Sequence, residues 1–140
     1  MSARGKARKQ ALDFLYESDI RGVDAAELLR SRKSLEEVES ERPIREYTVE
    51  LVNGVSLHRR KIDELIATYT QGWDMDRLAA VDRNILRLAI YEIVYLDQLA
   101  DGIAIEEALV LAKDLSSEDS ATFIHGVLGK ISSIKESIAR

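Results

Sequence analysis

The chain has no cysteine, which removes disulfides, zinc–thiolate sites and thiol nucleophiles from consideration and fits a reducing, cytoplasmic location. It has one proline and 7 glycines, so few positions force a turn. Aromatics are only 6% of the residues and runs of Val, Ile or Thr are sparse, a balance that favours helices over strands. No apolar run approaches the roughly 18 residues that a membrane-spanning helix needs, and the charged N-terminus does not read as a signal peptide. The two histidines, His58 and His125, stand alone, outside any metal-ligand spacing. No Gly-rich phosphate loop or nucleophile elbow appears. We therefore expect no enzyme activity, no metal, no cofactor and no membrane partner.

What remains is an ordinary globular composition. At 140 residues, 46% hydrophobic and 32% charged, the chain suits one domain, 1–140, with a sizeable core. A net charge of −5 argues in bulk against a nucleic-acid partner, but distribution matters more than the sum. Residues 1–9 carry Arg4, Lys6, Arg8 and Lys9 without an acid, while acids collect later, as in Glu36-Glu37 and Glu39-Ser40-Glu41. Charge alone favours a solvated basic tail over an RNA-binding patch.

Apolar spacing predicts helices throughout. The first runs from about Lys6 to Ile20, with Ala11, Leu12, Leu15 and Ser18 on one face and Gly22 at its end. Asp24 can cap a second helix carrying Leu28, Leu29, Leu35 and Val38. After a polar turn from Glu39 to Pro43, a third region carries Tyr47, Leu51, Val55, Ile62, Leu65, Ile66 and Tyr69, with a break expected near His58. Gly72 closes this half. Trp73 opens the next, where Asp74 can cap a short turn through Leu78. The stretch from Ile85 to Leu96 is apolar on nearly every side, as a central helix would be. A loop from Asp97 to Gly102 precedes two one-sided stripes, Ile105, Ala108, Leu109, Ala112, Leu115 and then Ile124, Val127, Leu128, Ile131, Ile134, Ile138. The chain reads as all-α, about seven helices in two small packed bundles, about 1–72 and 73–140. Gly126 and Gly129 fall inside the last helix, where glycine costs about 1 kcal/mol against alanine. We expect another backbone to approach closely there.

Leu78-Ala-Ala-Val-Asp-Arg-Asn-Ile-Leu-Arg-Leu-Ala-Ile-Tyr-Glu92, Ile105-Glu-Glu-Ala108 with Leu111-Ala-Lys113, Glu118-Asp-Ser with Phe123, and Gly126-Val-Leu128 together resemble the NusB family of transcription antitermination factors. Tyr47-Thr-Val-Glu-Leu-Val-Asn-Gly-Val55 with Ile62-Asp63 is similar to the family's middle. Arg8-Lys-Gln-Ala-Leu-Asp-Phe-Leu-Tyr16 is similar to its arginine-rich first helix. The order and spacing match, and the resemblance covers most of the chain. Departures from the family pattern are His125 and Glu106, each in place of an asparagine, Asp101-Gly102 where a proline is common, and a thinner basic run interrupted by Gly5.

The resemblance implies a NusB-like helical fold and an RNA-binding factor without enzymatic activity. It implies a heterodimer with the ribosomal protein NusE. That pair would bind single-stranded boxA-type RNA in rRNA leaders, support read-through of terminators by the RNA polymerase antitermination complex, and aid rRNA maturation. The family includes monomers and homodimers, so a homodimer is possible. Lys9 and Tyr16 lie about two helical turns apart and share a face, with Lys6 one turn earlier. Such residues either neutralise phosphate and stack a base or form a solvated edge; the family's use of this helix favours RNA, and with it Arg4, Lys6, Arg8, Lys9 and Tyr16. Asp119 and Phe123 open the last helix. Ser117, Asp119 or Ser120 can be its N-cap and Phe123 can be core, while the family places the matching aspartate and phenylalanine in its RNA-binding region. Asp82 and Arg83 read as an exposed first turn, and the family's NusE-facing neighbourhood makes Asp82 a partner-interface residue. Two rivals stay open: a stand-alone helical interaction module, or a domain related to the RNA-binding domain of rRNA cytosine methyltransferases.

Overall fold

A computed structural model describes residues 2–39, 43–70 and 75–140, with the side chains of 35–39 excepted. Leu35, Val38, the turn over Glu39-Ser40-Glu41, Gly72, Trp73 and Asp74 therefore lie wholly or in their side chains outside the described residues. Among the described residues the secondary structure is helical and no strand forms. The α-helices are α1 (Ala3–Arg21), α2 (Ala25–Glu39), α3 (Glu46–Leu57), α4 (Arg59–Tyr69), α5 (Ala80–Tyr95), α6 (Asp101–Leu115) and α7 (Glu118–Ile134). Short 3-10 turns cover Met75–Arg77 and Lys135–Ser137.

The chain forms two compact units, Met1–Leu57 and His58–Arg140. The sequence places the division near residue 72. It falls at 57/58 instead because α4 packs on α5 and α7. Ile62, Leu65 and Ile66 supply its buried stripe, and its Asp63 binds Arg87 of α5. The expected helix break at His58 is present, and the His58 ring stacks on Tyr95 with centroids 3.9 Å apart.

In the first unit, α1 packs on α2 and α3. Ala7, Ala11, Leu12 and Leu15 recur at helical spacing and are buried, as are Leu29 of α2 and Leu51, Val52 and Val55 of α3. Gly22 ends α1 at φ 68°, a left-handed conformation that glycine adopts without a Cβ clash. The turn is closed by the Val23 N–H donating to the Ser18 carbonyl at 3.0 Å. Asp24 caps α2 by accepting from the Glu27 N–H at 3.2 Å, and its other oxygen accepts from Ser56 Oγ at 2.6 Å, which ties the start of α2 to α3. Gln10 joins α1 to α3: its Oε1 accepts from the Arg45 N–H at 3.0 Å and from Thr48 Oγ1 at 2.8 Å, while its Nε2 donates to the Pro43 carbonyl at 3.3 Å.

In the second unit α5 is the central helix, buried from Asn84 through Val94 and packed against α4, α6 and α7. Its Arg87 donates to both oxygens of Asp63, at 2.8 and 3.2 Å, and to Asn84 Oδ1 at 2.9 Å. A buried guanidinium without such partners would be strongly destabilising. The loop expected over 97–102 is shorter than that, because α6 already begins at Asp101. Asp101 is held by Lys135 at 2.7 Å and by Ser132 Oγ at 2.6 Å.

Candidate nucleic-acid interface

Helix α1 begins with Ser2 as its N-cap, accepting from the Gly5 N–H at 3.0 Å. Its first turn holds no acid but does hold Arg4, with Lys6 just beyond. Cations at the positive end of a helix are placed against the helix dipole, so the local potential there attracts an anion. Arg4 and Lys6 are exposed. Tyr16 is 41% exposed, which leaves ring surface for stacking. Lys9 is partly exposed and ion-paired with Asp13 at 2.7 Å, so any phosphate there competes with an acid one turn away.

Arg8 differs from its neighbours. It is only 3% exposed, and its guanidinium lies 5.7 Å from the centre of the Tyr47 ring, while that of Arg4 lies 4.9 Å from the same ring. The expectation that Arg8 faces a phosphate is corrected. Arg8 is in phase with Ala11, Leu12 and Leu15, the residues α1 turns inward. Tyr47, which the sequence marks only as part of the third helical stripe, gathers the two guanidiniums. Asp13 was discernible there as the i+4 neighbour of Lys9.

Further along α1, Glu17 accepts from Arg21 at 2.8 Å and from Arg32 of α2 at 2.6 Å. The Arg21 hydrogen bond holds the Glu17 carboxyl below its ordinary value against a desolvation that raises it, with the charge and hydrogen bond of Arg32 adding to the lowering.

In the second unit, Asp119 and Phe123 lie one turn apart on α7. Ser117 is the N-cap, accepting from the Ser120 N–H at 3.0 Å, so Asp119 is a first-turn acid rather than the cap. Asp119 is exposed and Phe123 half-buried. Asp82 lies in the first turn of α5, as the sequence led us to expect, but it is not exposed there. It is 8% exposed, and its Oδ2 accepts from Ser120 Oγ at 2.7 Å, while Oδ1 is buried without a hydrogen-bond partner among the described residues. Asp82 is in phase with Leu86 and Ala89, and the Ser120 hydroxyl gives its carboxylate a reason to turn inward. Its role is to hold the first turn of α7.

Gly126 and Gly129 also differ from expectation. A Cβ built on either meets nothing within 4 Å, so among the described residues no backbone outside α7 approaches them. Among the described residues no cluster of His, Cys, Asp or Glu could hold a metal ion, and no helix is long and apolar enough to cross a membrane. The structure thus groups the basic and aromatic residues of α1 in one unit and Asp82, Asp119 and Phe123 in the other.

Comparison with known proteins places these features in a context. Residues 5–133 match the model of the NusB family. The chain is 48% identical over 139 residues to the transcription antitermination protein NusB of Nocardioides sp., covering 99% of this chain and 100% of that protein. Among solved structures, a protein chain in the crystal structure of a plectonemic RNA supercoil is similar, with a TM-score of 0.82 and 30% identity, covering 99% of this chain and 100% of the other. Similar too is a chain from the crystal structure of the antitermination factors NusB and NusE in complex with dsRNA, with a TM-score of 0.77 and 30% identity over 93% of this chain and 96% of that one.

Proposed function

The chain belongs to the NusB family, and on that premise we propose that it is a transcription antitermination factor that binds RNA together with the ribosomal protein NusE. The observation that carries the reading is the exposed, acid-free start of α1, where Arg4 and Lys6 stand against the helix dipole on a protein whose net charge is −5. Such a placement is unfavourable for the free protein and favourable once a phosphate is bound. Tyr16 on α1 and Phe123 on α7 supply partly open rings for bases. The related chain solved with NusE and RNA supports both partners.

The RNA we assign is single-stranded and of the boxA type, in rRNA leaders. Binding there would promote read-through by the RNA polymerase antitermination complex and support rRNA maturation in the cytoplasm. Few free cations face the solvent on α1, since Arg8 is buried and Lys9 is paired. Binding by the isolated chain should therefore be weak, and NusE should extend the contact surface. Titration of a boxA-type RNA at fixed salt, with and without NusE, tests this. We expect NusE to raise affinity at least several-fold; equal affinity in both titrations refutes the heterodimer reading. Light scattering on the isolated chain distinguishes a monomer from a homodimer.

A further inference from the structure

We propose that the RNA surface continues along α7 past Phe123, with Gly126 leaving the space that a base occupies and Lys130 taking the adjoining phosphate. This rests on the RNA-binding reading of the same helix. At 3.6 residues per turn, Asp119, Phe123, Gly126 and Lys130 fall on one side of α7. Asp119, Gly126 and Lys130 are exposed and Phe123 is half-buried at the edge of that side. The other exposed residues there, Thr122 and Ser133, are hydroxyls.

Glycine within a helix is unfavourable unless something needs the space, and among the described residues no neighbour fills it. A Cβ at Gly126 would meet nothing within 4 Å, so alanine would fit and strengthen the helix, yet glycine stands there. The missing side chain lies one turn from Phe123 and bares the helix backbone on the same side. A planar base can then approach closely enough to lie against both. Lys130 sits about 6 Å further along the axis, one turn on. Its neighbours at i±3 and i±4 are Gly126, Val127, Ser133 and Ile134, none of them an acid, so no carboxylate on its own helix competes for it. A protein partner filling the same gap would be expected to find apolar flanks, whereas the borders here are polar: hydroxyls, the Lys130 cation next to the gap and the Asp119 carboxylate two turns before it. An open backbone, a half-exposed ring and a free cation within two turns point to a single-stranded nucleic acid.

The test is a set of single variants titrated with a boxA-type RNA oligonucleotide, with and without NusE. Gly126→Ala should raise the melting temperature by about 2–5 °C, because the site is open and helical. Gly126→Gln should keep the fold while weakening RNA affinity about tenfold or more, as expected for one lost stacking contact. Lys130→Gln should lower the slope of log affinity against log salt by about 0.7. If Phe123→Ala weakens binding but Gly126→Gln and Lys130→Gln leave affinity and slope unchanged, the surface ends at Phe123 and this inference fails while the RNA reading stands. If Gly126→Gln impairs only NusE capture, the gap belongs to the protein partner and the inference is overturned. If Phe123→Ala and Lys6→Ala also leave RNA binding intact, the RNA reading fails with it.

Discussion

Two cations two residues apart on α1 should behave in opposite ways. Lys6 is exposed, whereas Arg8 is 3% exposed with its guanidinium over Tyr47. For Arg8→Ala, loss of the two buried stem methylenes beyond Cβ costs about 1.6 kcal/mol, and loss of the ring contact about 1 kcal/mol. Relief of the desolvation of a buried cation offsets part of this, leaving a net loss of about 2 kcal/mol. On a domain of this size that is a fall in melting temperature of about 5–10 °C. Arg8→Lys should recover only part of the loss, since an ammonium does not stack on a ring as a guanidinium does. Lys6→Ala should change stability by no more than about 0.5 kcal/mol. The salt dependence of RNA binding inverts the order. Lys6→Ala should lower the log–log slope by about 0.7, and Arg8→Ala, measured where it is fully folded, should leave it unchanged. Denaturant unfolding and RNA titrations over a salt series provide the two readouts. An Arg8→Ala variant as stable as the parent but with a reduced slope would refute the reasoning, because Arg8 would then be spending its charge on phosphate.

Three further outcomes follow from the same side-chain contacts. Asp13→Asn frees Lys9 from its 2.7 Å ion pair and removes a negative charge from the proposed RNA face, so RNA affinity should rise while stability, as for most exposed pairs, changes by less than about 0.5 kcal/mol; unchanged affinity would take Lys9 out of the site. Ser120→Ala withdraws the hydroxyl from the buried Asp82 carboxylate and should cost about 2 kcal/mol, and a double-mutant cycle with Asp82→Ala should show coupling above about 0.5 kcal/mol, which a strictly additive pair would contradict. Glu17, whose carboxyl is held below 4.5 in the fold by Arg21 and then Arg32, contributes stability that is present above the unfolded value and lost as pH falls through the lower folded one; Glu17→Gln should flatten the acid limb of stability measured over roughly pH 3 to 6, and an identical limb would show that the bridge is without effect.

The readable parts of this fold were those written in local chemistry. Gly22 as a left-handed stop, Asp24 as a cap and the interruption at His58 each depend on a few adjacent residues, and the structure places all three as the sequence suggests. Residues whose role depends on a distant partner were harder. Along the chain Arg8 is one more member of a basic run; around the helix its phase with Ala11, Leu12 and Leu15 turns it inward. Asp82 turns inward for a hydroxyl 38 positions away, which no spacing rule reports. The division at 57/58 depends on where α4 finds a face to cover, and helix periodicity marks that α4 has an apolar stripe without naming what it packs on. The two α7 glycines stand out in the sequence by their cost, but among the described residues no other backbone approaches them.

Gln10 turns α1 into a docking gauge. The first amides of a helix have no carbonyl behind them within the helix. At the start of α3, the amide of Arg45 is satisfied by the side chain of a residue 35 positions earlier, and the same oxygen holds Thr48. A slide of α3 along α1 by one turn would lose these contacts with the one to Pro43, so the two helices are indexed to a residue rather than merely greased together. Exchange of the Arg45 amide with solvent deuterium should therefore be slowed only while α1 is seated. That single resonance reports opening of the N-terminal helix directly, without a label, and with RNA bound at the start of α1 its exchange should slow in step with occupancy.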